Sequence, residues 1–316
     1  MIKKAVLFVA LAISANTISA QDLTSRKGEP ILPEAGDWAI SFDATPFLTY
    51  VGNMFSRDTL KNGAPYAQWT NANYMVVNGK YFINEKTAYR VSVRLGFGSN
   101  KLVGEIADAT AATPQYPNVP LMKEDAEKFK HHNIGLGLGK EWRKGKTRLQ
   151  GYYGADLWIW ESGESVDYTY GNTLAATGTT PVAVLPSTTT NFGKNEVLTT
   201  LNPSLNGNLV NDTYGNLARI TSATLGQTFG MGIRGFIGAE YFIFPKISIG
   251  AEYGYGLGFS ITGNSSYSTE SVGGTPAQVG PQTITIKRSN SISLDNDING
   301  GGSGTGTGSI KLTLHF

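Results

Sequence analysis

The sequence contains no cysteine. This absence excludes a disulfide framework, a thiolate metal site and a cysteine nucleophile. The chain also lacks a long basic or acidic block, and its formal net charge is only +2. Nucleic-acid binding usually requires clustered positive charge, so the sequence argues against a nucleic-acid partner.

Long hydrophobic runs are missing too. No segment after residue 20 approaches the 18 continuous apolar residues of a transmembrane helix. Residues 1–20 are different: Lys3 and Lys4 precede an apolar run, and small residues end at Ala20. This pattern predicts a cleaved secretory signal peptide, followed by a periplasmic tail over 21–36. A membrane-spanning mature chain would therefore have to span with strands.

Eight segments alternate between polar and apolar residues, which is the period of a β-strand. Most contain about 11 to 16 residues, longer than the usual strand of a soluble sheet and long enough for a tilted membrane crossing. The segments are 38–50, 73–83, 87–97, 131–143, 147–160, 228–243, 247–261 and 305–316.

The connections between these segments alternate between short and long. Three-residue turns are expected at 84–86, 144–146 and 244–246, whereas 51–72, 98–130, 161–227 and 262–304 are long, polar and turn-rich. Outer-membrane barrels have this asymmetry, with short periplasmic turns and long external loops. We therefore predict an all-β, eight-stranded, antiparallel up-and-down transmembrane barrel over 37–316.

The two faces of each strand differ in chemistry. One face is mostly apolar, and the other carries charges that would be costly in hydrocarbon, so the charged face is expected to line the lumen. Three layers are predicted, with Lys311 between Asp43 and Glu252 in one layer. The full predicted lumen set is Asp43, Lys80, Arg90, Arg94, Glu141, Arg148, Asp156, Arg234, Glu240, Glu252 and Lys311. Arg94, Asp156 and Arg234 form the predicted upper layer, and Lys80, Arg90, Arg148, Glu141 and Glu240 the lower one.

Aromatic residues gather near the strand ends, as in interfacial girdles. The last of them, Phe316, ends an alternating strand and is predicted to act as the signal for the barrel-assembly machinery. The predicted periplasmic girdle contains Trp38, Tyr81, Tyr89, Trp142, Tyr241 and Phe316, and the external girdle contains Phe47, Tyr74, Phe97, Tyr255 and Phe259. The alternative is a soluble lipocalin-like barrel or sandwich, with an apolar interior and a polar exterior.

Three stretches resemble small outer-membrane barrel proteins of Bacteroidota: residues 35–47, 80–90 and 146–156. The first is similar to their opening strand and the other two to later hairpins. The resemblance covers strands and not loops. It implies an OmpA- or OmpX-like barrel of eight strands in the outer membrane, and it implies no activity and no site residues.

Motifs that carry chemistry are few, and no catalytic, cofactor or metal site is predicted. The glycines of 135–140 superficially resemble a phosphate-binding loop, but their alternation on a strand favours small lumen-facing residues. His131 and His132 are adjacent on a strand and point to opposite faces, so they cannot chelate one metal as a pair. An outer-membrane lipid-modifying enzyme could use a lipid-facing histidine with a serine, but Ser92 has the wrong parity.

The eight-stranded lumen is about wide enough to be filled by side chains. The predicted function is therefore a structural or interaction role carried by the external loops. The expected partners are outer-membrane lipid and a protein in the outer membrane or outside the cell, with a larger assembly as one possibility. A narrow channel for ions or small solutes is the alternative, followed by the lipid-modifying enzyme.

Overall fold

The computed structural model describes residues 24–25, 27–44, 50, 76–111, 117–174, 185–190, 192, 196–201, 207–213, 215–273, 278–286, 289–296 and 310–316. This part of the chain consists mainly of antiparallel strands, together with a six-residue helix, α1 (Glu196–Leu201). Eight strands form a ring: β1 (Trp38–Asp43), β2 (Val76–Asn84), β3 (Thr87–Ala107), β4 (Met122–Lys144), β5 (Leu149–Thr169), β8 (Thr228–Phe244), β9 (Ile247–Thr262) and β13 (Ile310–His315). The others are β6 (Leu209–Asn211), β7 (Leu217–Thr224), β10 (Ser265–Gly273), β11 (Gln278–Ile286) and β12 (Ser289–Asn296).

The ring closes because β1 pairs with both β2 and β13, and β13 also pairs with β9. The remaining neighbours are β2–β3, β3–β4, β4–β5, β5–β8 and β8–β9, and every pair is antiparallel. Each of the eight predicted segments overlaps one ring strand. The prediction of an all-β antiparallel arrangement with eight strands around a closed circuit is confirmed.

Short turns join ring strands at one end, which we call the turn end. Residues 85–86, 145–148 and 245–246 connect β2–β3, β4–β5 and β8–β9. Gly145 and Lys246 have φ angles of 140° and 62°, which let the chain reverse direction within a few residues. The opposite end of the ring is called the mouth.

The predicted bounds were wrong at several strand ends. The first strand ends at Asp43, and Tyr50 is helical. Strands β3, β4 and β5 run past the predicted ends at the mouth, so much of 98–130 and 161–169 is strand and not loop. The β3–β4 pairing continues without a break from Thr87↔Trp142 to Ala107↔Met122. Backbone hydrogen bonds continue these strands through residues that show no alternation of apolar and polar side chains. The predicted strand residues 45–49, 73–75 and 305–309, and the loop 51–72, lie outside the described residues.

Beyond the mouth, the chain builds a second folded unit, which we call the extension. It contains the outer half of the β3–β4 hairpin, the end of β5, and strands β6, β7, β10 and β11 with α1. The end of β5 leaves β8 and pairs with β7 from Ser165↔Thr224 to Asp167↔Ser222. The core of the extension is formed by Val166, Tyr168, Val197, Leu198, Val210, Ala218, Ile220 and Ala223. The predicted long loops 161–227 and 262–304 therefore contain sheet.

Buried polar side chains fix the extension. The Asp125 carboxylate accepts hydrogen bonds from the backbone amides of Gly171 and Thr189 at 2.8 and 2.7 Å. The Arg219 guanidinium donates to the Asn172 carbonyl oxygen at 2.7 Å and stacks over the Tyr170 ring at 4.3 Å. Burial raises the pKa of the Tyr170 hydroxyl. These contacts hold the chain around 171 and 189 against the sheet, so the extension presents a defined surface.

Strands β12 and β13 share one edge of β9. β13 pairs with β9 residues Ile247–Ala251 near the turn end, and β12 pairs with Tyr255–Thr262 near the mouth. β12 lies within the predicted loop 262–304, so that loop supplies a strand beside β9 at the mouth half.

No helix among the described residues is both long enough and apolar enough to cross a membrane.

Candidate functional site

The outer face of the ring is apolar. On β3, β8 and β9 the outward positions follow the predicted parity, and large hydrophobic side chains are exposed there. Ile233 of β8 is 61% exposed, with the outward Leu157 and Leu257 directly opposite it on β5 and β9. From Tyr89 to Phe97 the apolar stripe covers about 27 Å along β3, at about 3.4 Å per residue. We call this continuous surface the apolar belt.

Aromatic rings are exposed at the turn end of the belt. Trp38 and Tyr81 lie with ring centroids 4.8 Å apart, and Trp142 and Tyr153 stack at 5.8 Å. Tyr89 and Phe316 are also exposed, whereas Tyr241 is half-buried. Toward the mouth, Phe97, Tyr255 and Phe259 are exposed on the outer face. The predicted girdle residues Phe47 and Tyr74 lie outside the described residues.

The inward face of the ring is charged and buried. Among the predicted lumen residues, Asp43, Lys80, Arg90, Arg94, Glu141, Asp156, Arg234, Glu240 and Glu252 are all buried. The apolar interior and polar exterior required by the soluble alternative are thus reversed in the ring. Isolated buried charges cost several kcal/mol, so the arrangement depends on partners.

Toward the turn end, two glutamates are bridged by two cations. Arg143 donates to Glu141 Oε1 at 2.8 Å and to Glu240 Oε2 at 2.6 Å. Lys80 Nζ lies 3.2 Å from Glu141 and 3.6 Å from Glu240. His315 Nε2 lies 3.3 Å from Glu240 Oε1. Each carboxylate therefore has more than one positively charged or hydrogen-bonding neighbour.

Toward the mouth, Arg90 joins this group to a second one. Its guanidinium contacts both oxygens of Glu252, at 3.0 and 3.2 Å, and lies 3.5 Å from Glu141 and 3.8 Å from Asp156. Arg234 bridges Asp156 and Glu252 at 3.1 and 2.9 Å. The Arg90 guanidinium also stacks on the Phe236 ring at 3.9 Å. Arg90 is thus the central cation of one continuous network.

The predicted contact of Lys311 is present, because its Nζ lies 2.8 Å from Glu252 Oε1. Asp43 lies directly opposite Lys311 in the β1–β13 register. However, Glu252 also holds Arg90 and Arg234. Lys311 is therefore one of three cations on this carboxylate.

The predicted network differs from the observed one in two respects. Pairs form within each predicted layer, but Arg90 and Arg234 both contact Glu252 and so connect the layers into one network. Arg148 has no acidic partner among the described residues. It is half-buried near the turn end and donates to the Ile243 carbonyl oxygen at 3.1 Å. A carbonyl at the β8–β9 hairpin replaces the expected carboxylate.

Sequence reasoning missed two members of the network, Arg143 and His315. Arg143 has the same strand parity as Glu141, and His315 has the same parity as Lys311. Parity alone could have found both residues. Their shared partner Glu240 lies on another strand, and the sequence does not reveal which strands bring these side chains together.

Large side chains fill the remaining interior. Trp158 and Trp160 are buried near the mouth, and glycines make room for the side chains around them. A Cβ at Gly137 would lie 2.6 Å from the Trp158 ring, and one at Gly139 would lie 1.9 Å from Asp156 Oδ1. The 135–140 glycines are small inward positions, as predicted.

The turn end is closed. Phe82 and Phe242 lie next to hairpin turns yet have no exposed surface, and His315 packs between their rings at 5.6 and 5.1 Å. The segment before β1 is hydrogen-bonded here through Gly36 N and Phe82 O, and Ile31 in this segment is completely buried. We infer that residues 30–37 cover the turn end of the lumen.

Charged groups outside the ring strands also have partners. Burial opposes ionisation of Asp37, but Lys246 and the Glu34 amide lower the pKa of this carboxyl overall. In the extension, hydrogen bonds from Thr110 and Lys123 lower the pKa of Asp108 to about 2. Both carboxylates are therefore ionised at neutral pH.

The two adjacent histidines point to opposite faces. His132 lies on the outer face, with Nε2 2.8 Å from Glu161 Oε1. His131 lies on the inner face beside Phe129, with ring centroids 5.5 Å apart. No serine of the described chain hydrogen-bonds to His132, and in that same part no group of three potential metal ligands is assembled.

No protein-family model matches the sequence, and comparison with curated proteins finds no similar chain.

Phe316 fastens the closing strand to the first one. Its backbone N–H donates to Trp38 O at 2.9 Å, and Trp38 N–H donates to Phe316 O at 2.9 Å. Its side chain is exposed at the turn end of the belt. If the ring spans a membrane, as the sequence predicts, Phe316→Asp should lose most of the inserted protein, because a charge would replace an aromatic ring at the membrane interface.

Heat-modifiable migration of the membrane fraction measures this prediction. Phe316→Tyr is the matched control and should retain insertion. Equal inserted amounts of the Asp and Tyr variants would refute an assembly role for the aromatic ring.

Proposed function

We propose that this chain is an integral outer-membrane β-barrel protein. The ring is its transmembrane barrel, and the extension is an external contact surface that serves a structural or interaction role. The observation that carries the proposal is the reversed polarity of the ring, with charges inside and a continuous apolar belt outside. Buried charges are tolerated inside a membrane barrel when they are paired, whereas lipid is the solvent that an apolar exterior requires.

The strand lengths and the aromatic rings support the same proposal. The belt covers about 27 Å along β3, comparable to a tilted crossing of about 9 to 11 residues. Aromatic rings are exposed at both ends of the belt. The short turns would face the periplasm and the extension would face outside, as in known barrels of this architecture.

The folded extension favours an interaction role. Exposed apolar side chains remain on it away from the belt, including Val119, which is 83% exposed, and Leu121 in the β3–β4 connection. Irregular shielding loops need no core, yet the extension has one. A partner protein in the outer membrane or outside the cell is the proposed target, and the barrel could be a subunit of a larger assembly.

A channel is disfavoured as the alternative function. The inward aromatic residues and the charged network occupy the ring interior, and the turn end is covered by residues 30–37. Ser92, the serine considered for a lipid-modifying enzyme, is buried on the inward face and donates to Asn78 Oδ1 at 2.7 Å, so it does not support that alternative.

Labelling of intact cells tests the orientation. Since the natural chain has no cysteine, a single cysteine at Val119 in the extension should react with an impermeant maleimide, and one at Lys146 in a turn should not. Lys146 is preferable to Gly145, where a side chain would meet Leu149 O at 2.8 Å. Both variants should react after cell lysis in detergent. Labelling of Lys146→Cys alone in intact cells would contradict the proposed orientation.

A further inference from the structure

A cavity of about 1090 Å³ lies where the extension bends away from the ring. We call it the neck cavity. Its lining comes from both faces of β3, β4 and β5 and from the bends between β7 and β8 and between β9 and β10. The titratable and aromatic members are Phe97, Lys128, Lys130, His131, His132 and Glu164.

The uninterrupted registers of β3, β4 and β5 place the outer-face residues in rows. Lys101, Lys128 and Asp167 form the row farthest from the ring, followed by Ser99, Lys130 and Ser165. The next row contains Phe97, His132 and Gly163, and the row below it contains Leu95, Ile134 and Glu161. The outer faces of β3 and β4 therefore change from apolar, at Leu95 and Ile134, to basic, at Lys101 and Lys130, within two or three rows. Successive rows are about 7 Å apart along a strand.

The basic rows are incompletely neutralised. Lys101 lies 3.0 Å from Glu124, and Lys130 lies 2.6 Å from Asp167, but these pairs are about half exposed and solvent screens them. Lys128 lies between Lys101 and Asp167 in its row, but Asp167 contacts Lys130, and no carboxylate of the described residues lies within ion-pair distance of Lys128. Like charges opposite each other on a sheet repel, so an anion bound between them would stabilise this face.

We propose that the neck cavity binds the phosphate group of a membrane lipid headgroup. This inference rests on the proposed function, because it requires lipid around the apolar belt. A lipid whose acyl chains lie along Leu95 and Ile134 would bring its headgroup past Phe97 to Lys128 and Lys130. Lysine ammonium groups are donors that bind phosphate through charge-assisted hydrogen bonds. Basic clusters beside a membrane also attract anionic lipids.

The test uses a fluorescent reporter inside the cavity. Thr224 lines the cavity and is exposed, so Thr224→Cys, labelled with an environment-sensitive dye, reports local binding in the otherwise cysteine-free chain. The labelled protein in neutral detergent is titrated with short-chain phosphatidic acid, phosphatidylcholine of the same chain length, and inorganic phosphate. Co-flotation with phosphatidylcholine vesicles is measured first, as a separate test of membrane insertion.

We expect phosphatidic acid to bind about tenfold or more tightly than phosphatidylcholine. Lys128→Gln with Lys130→Gln should weaken that binding by about tenfold. The matched control is Lys140→Gln with Lys144→Gln, which removes two lysines from the same strand and parity at the turn end, and it should bind like the unsubstituted protein.

Each of the other outcomes would contradict a particular part of the proposal. Equal binding of phosphatidic acid by both double variants would show that Lys128 and Lys130 do not contribute to the site. Inorganic phosphate binding as tightly as phosphatidic acid would make the ligand free phosphate and not lipid. Protein that floats with vesicles but shows no response to phosphatidic acid would refute the lipid site and leave the proposed function standing. Protein that does not float would refute both.

Discussion

Replacing Arg90 with methionine is expected to lower the free energy of unfolding by about 3 to 5 kcal/mol, the usual loss when one partner of a buried ion network is removed. Arg90 contacts Glu252, Glu141 and Asp156, and it stacks on Phe236. Methionine retains much of the volume of the arginine side chain but carries no charge. Lys311→Met should cost less, because Glu252 would keep Arg90 and Arg234.

Urea unfolding in lipid vesicles, followed by tryptophan fluorescence, measures this loss. Glu252→Gln in the Arg90→Met background should recover part of the stability, since it removes one of the carboxylates left without its cation. Lys101→Met is the control. The Lys101–Glu124 pair has side chains that are 58% and 57% exposed, and such pairs contribute at most about 1 kcal/mol. Equal losses for Arg90→Met and Lys101→Met would show that the interior network does not stabilise the ring.

Ile233→Arg is expected to lower the stability of the inserted protein by about 2 to 4 kcal/mol, the effect of arginine facing the centre of a bilayer. Ile233 is exposed between the outward side chains of Leu157 and Leu257. In a water-soluble protein the same change at an exposed position would usually alter stability by less than about 0.5 kcal/mol. The sign and size of the effect therefore distinguish lipid from water around the ring.

The same vesicle unfolding assay applies to this variant. Val103→Arg is the matched control, because Val103 is also exposed on the outer parity of β3 but lies in the extension. It should leave stability nearly unchanged. A neutral effect of Ile233→Arg would contradict lipid contact at the belt.

The ring could be predicted from the sequence because its two environments impose a strict period of two. Ile310 and Leu312 point outward while Thr313 and His315 point inward, as the alternation predicts. Three short turns identify three of the eight neighbouring pairs, β2–β3, β4–β5 and β8–β9, and an up-and-down order supplies the others. These signals are local, so one sequence suffices to identify them.

The extension was missed because its strands lack that period. In β7, Ala218, Arg219 and Ile220 are buried in succession, and the β10–β7 register shifts between Ser268 and Thr269. Its small core comes from residues distant in sequence, such as Val166 and Leu198. The outer β3–β4 hairpin has polar residues on both faces, a pattern that predicts a loop, although its two segments pair as strands.

The interior network was only partly predictable for a related reason. Parity identifies which charges point inward, but partners such as Arg90 and Glu252 lie on opposite sides of the ring, 162 residues apart in sequence. Long arginine side chains connect residues at several depths, so the charges do not pair only within the predicted layers. The apolar-to-basic boundary on the outer face likewise becomes visible only when the registers of β3, β4 and β5 are known.

Spin-label accessibility in reconstituted vesicles reports directly whether the outer face of the ring contacts lipid. Single cysteines at Leu95, Ile233 and Leu257 would carry the label, with Val119 in the extension as the aqueous reference. We expect labels at the three belt positions to collide more with oxygen, which is enriched in lipid, than with a water-soluble nickel chelate. A label at Val119 should show the opposite preference. Greater collision with the nickel chelate at all three belt positions would contradict a membrane-spanning ring.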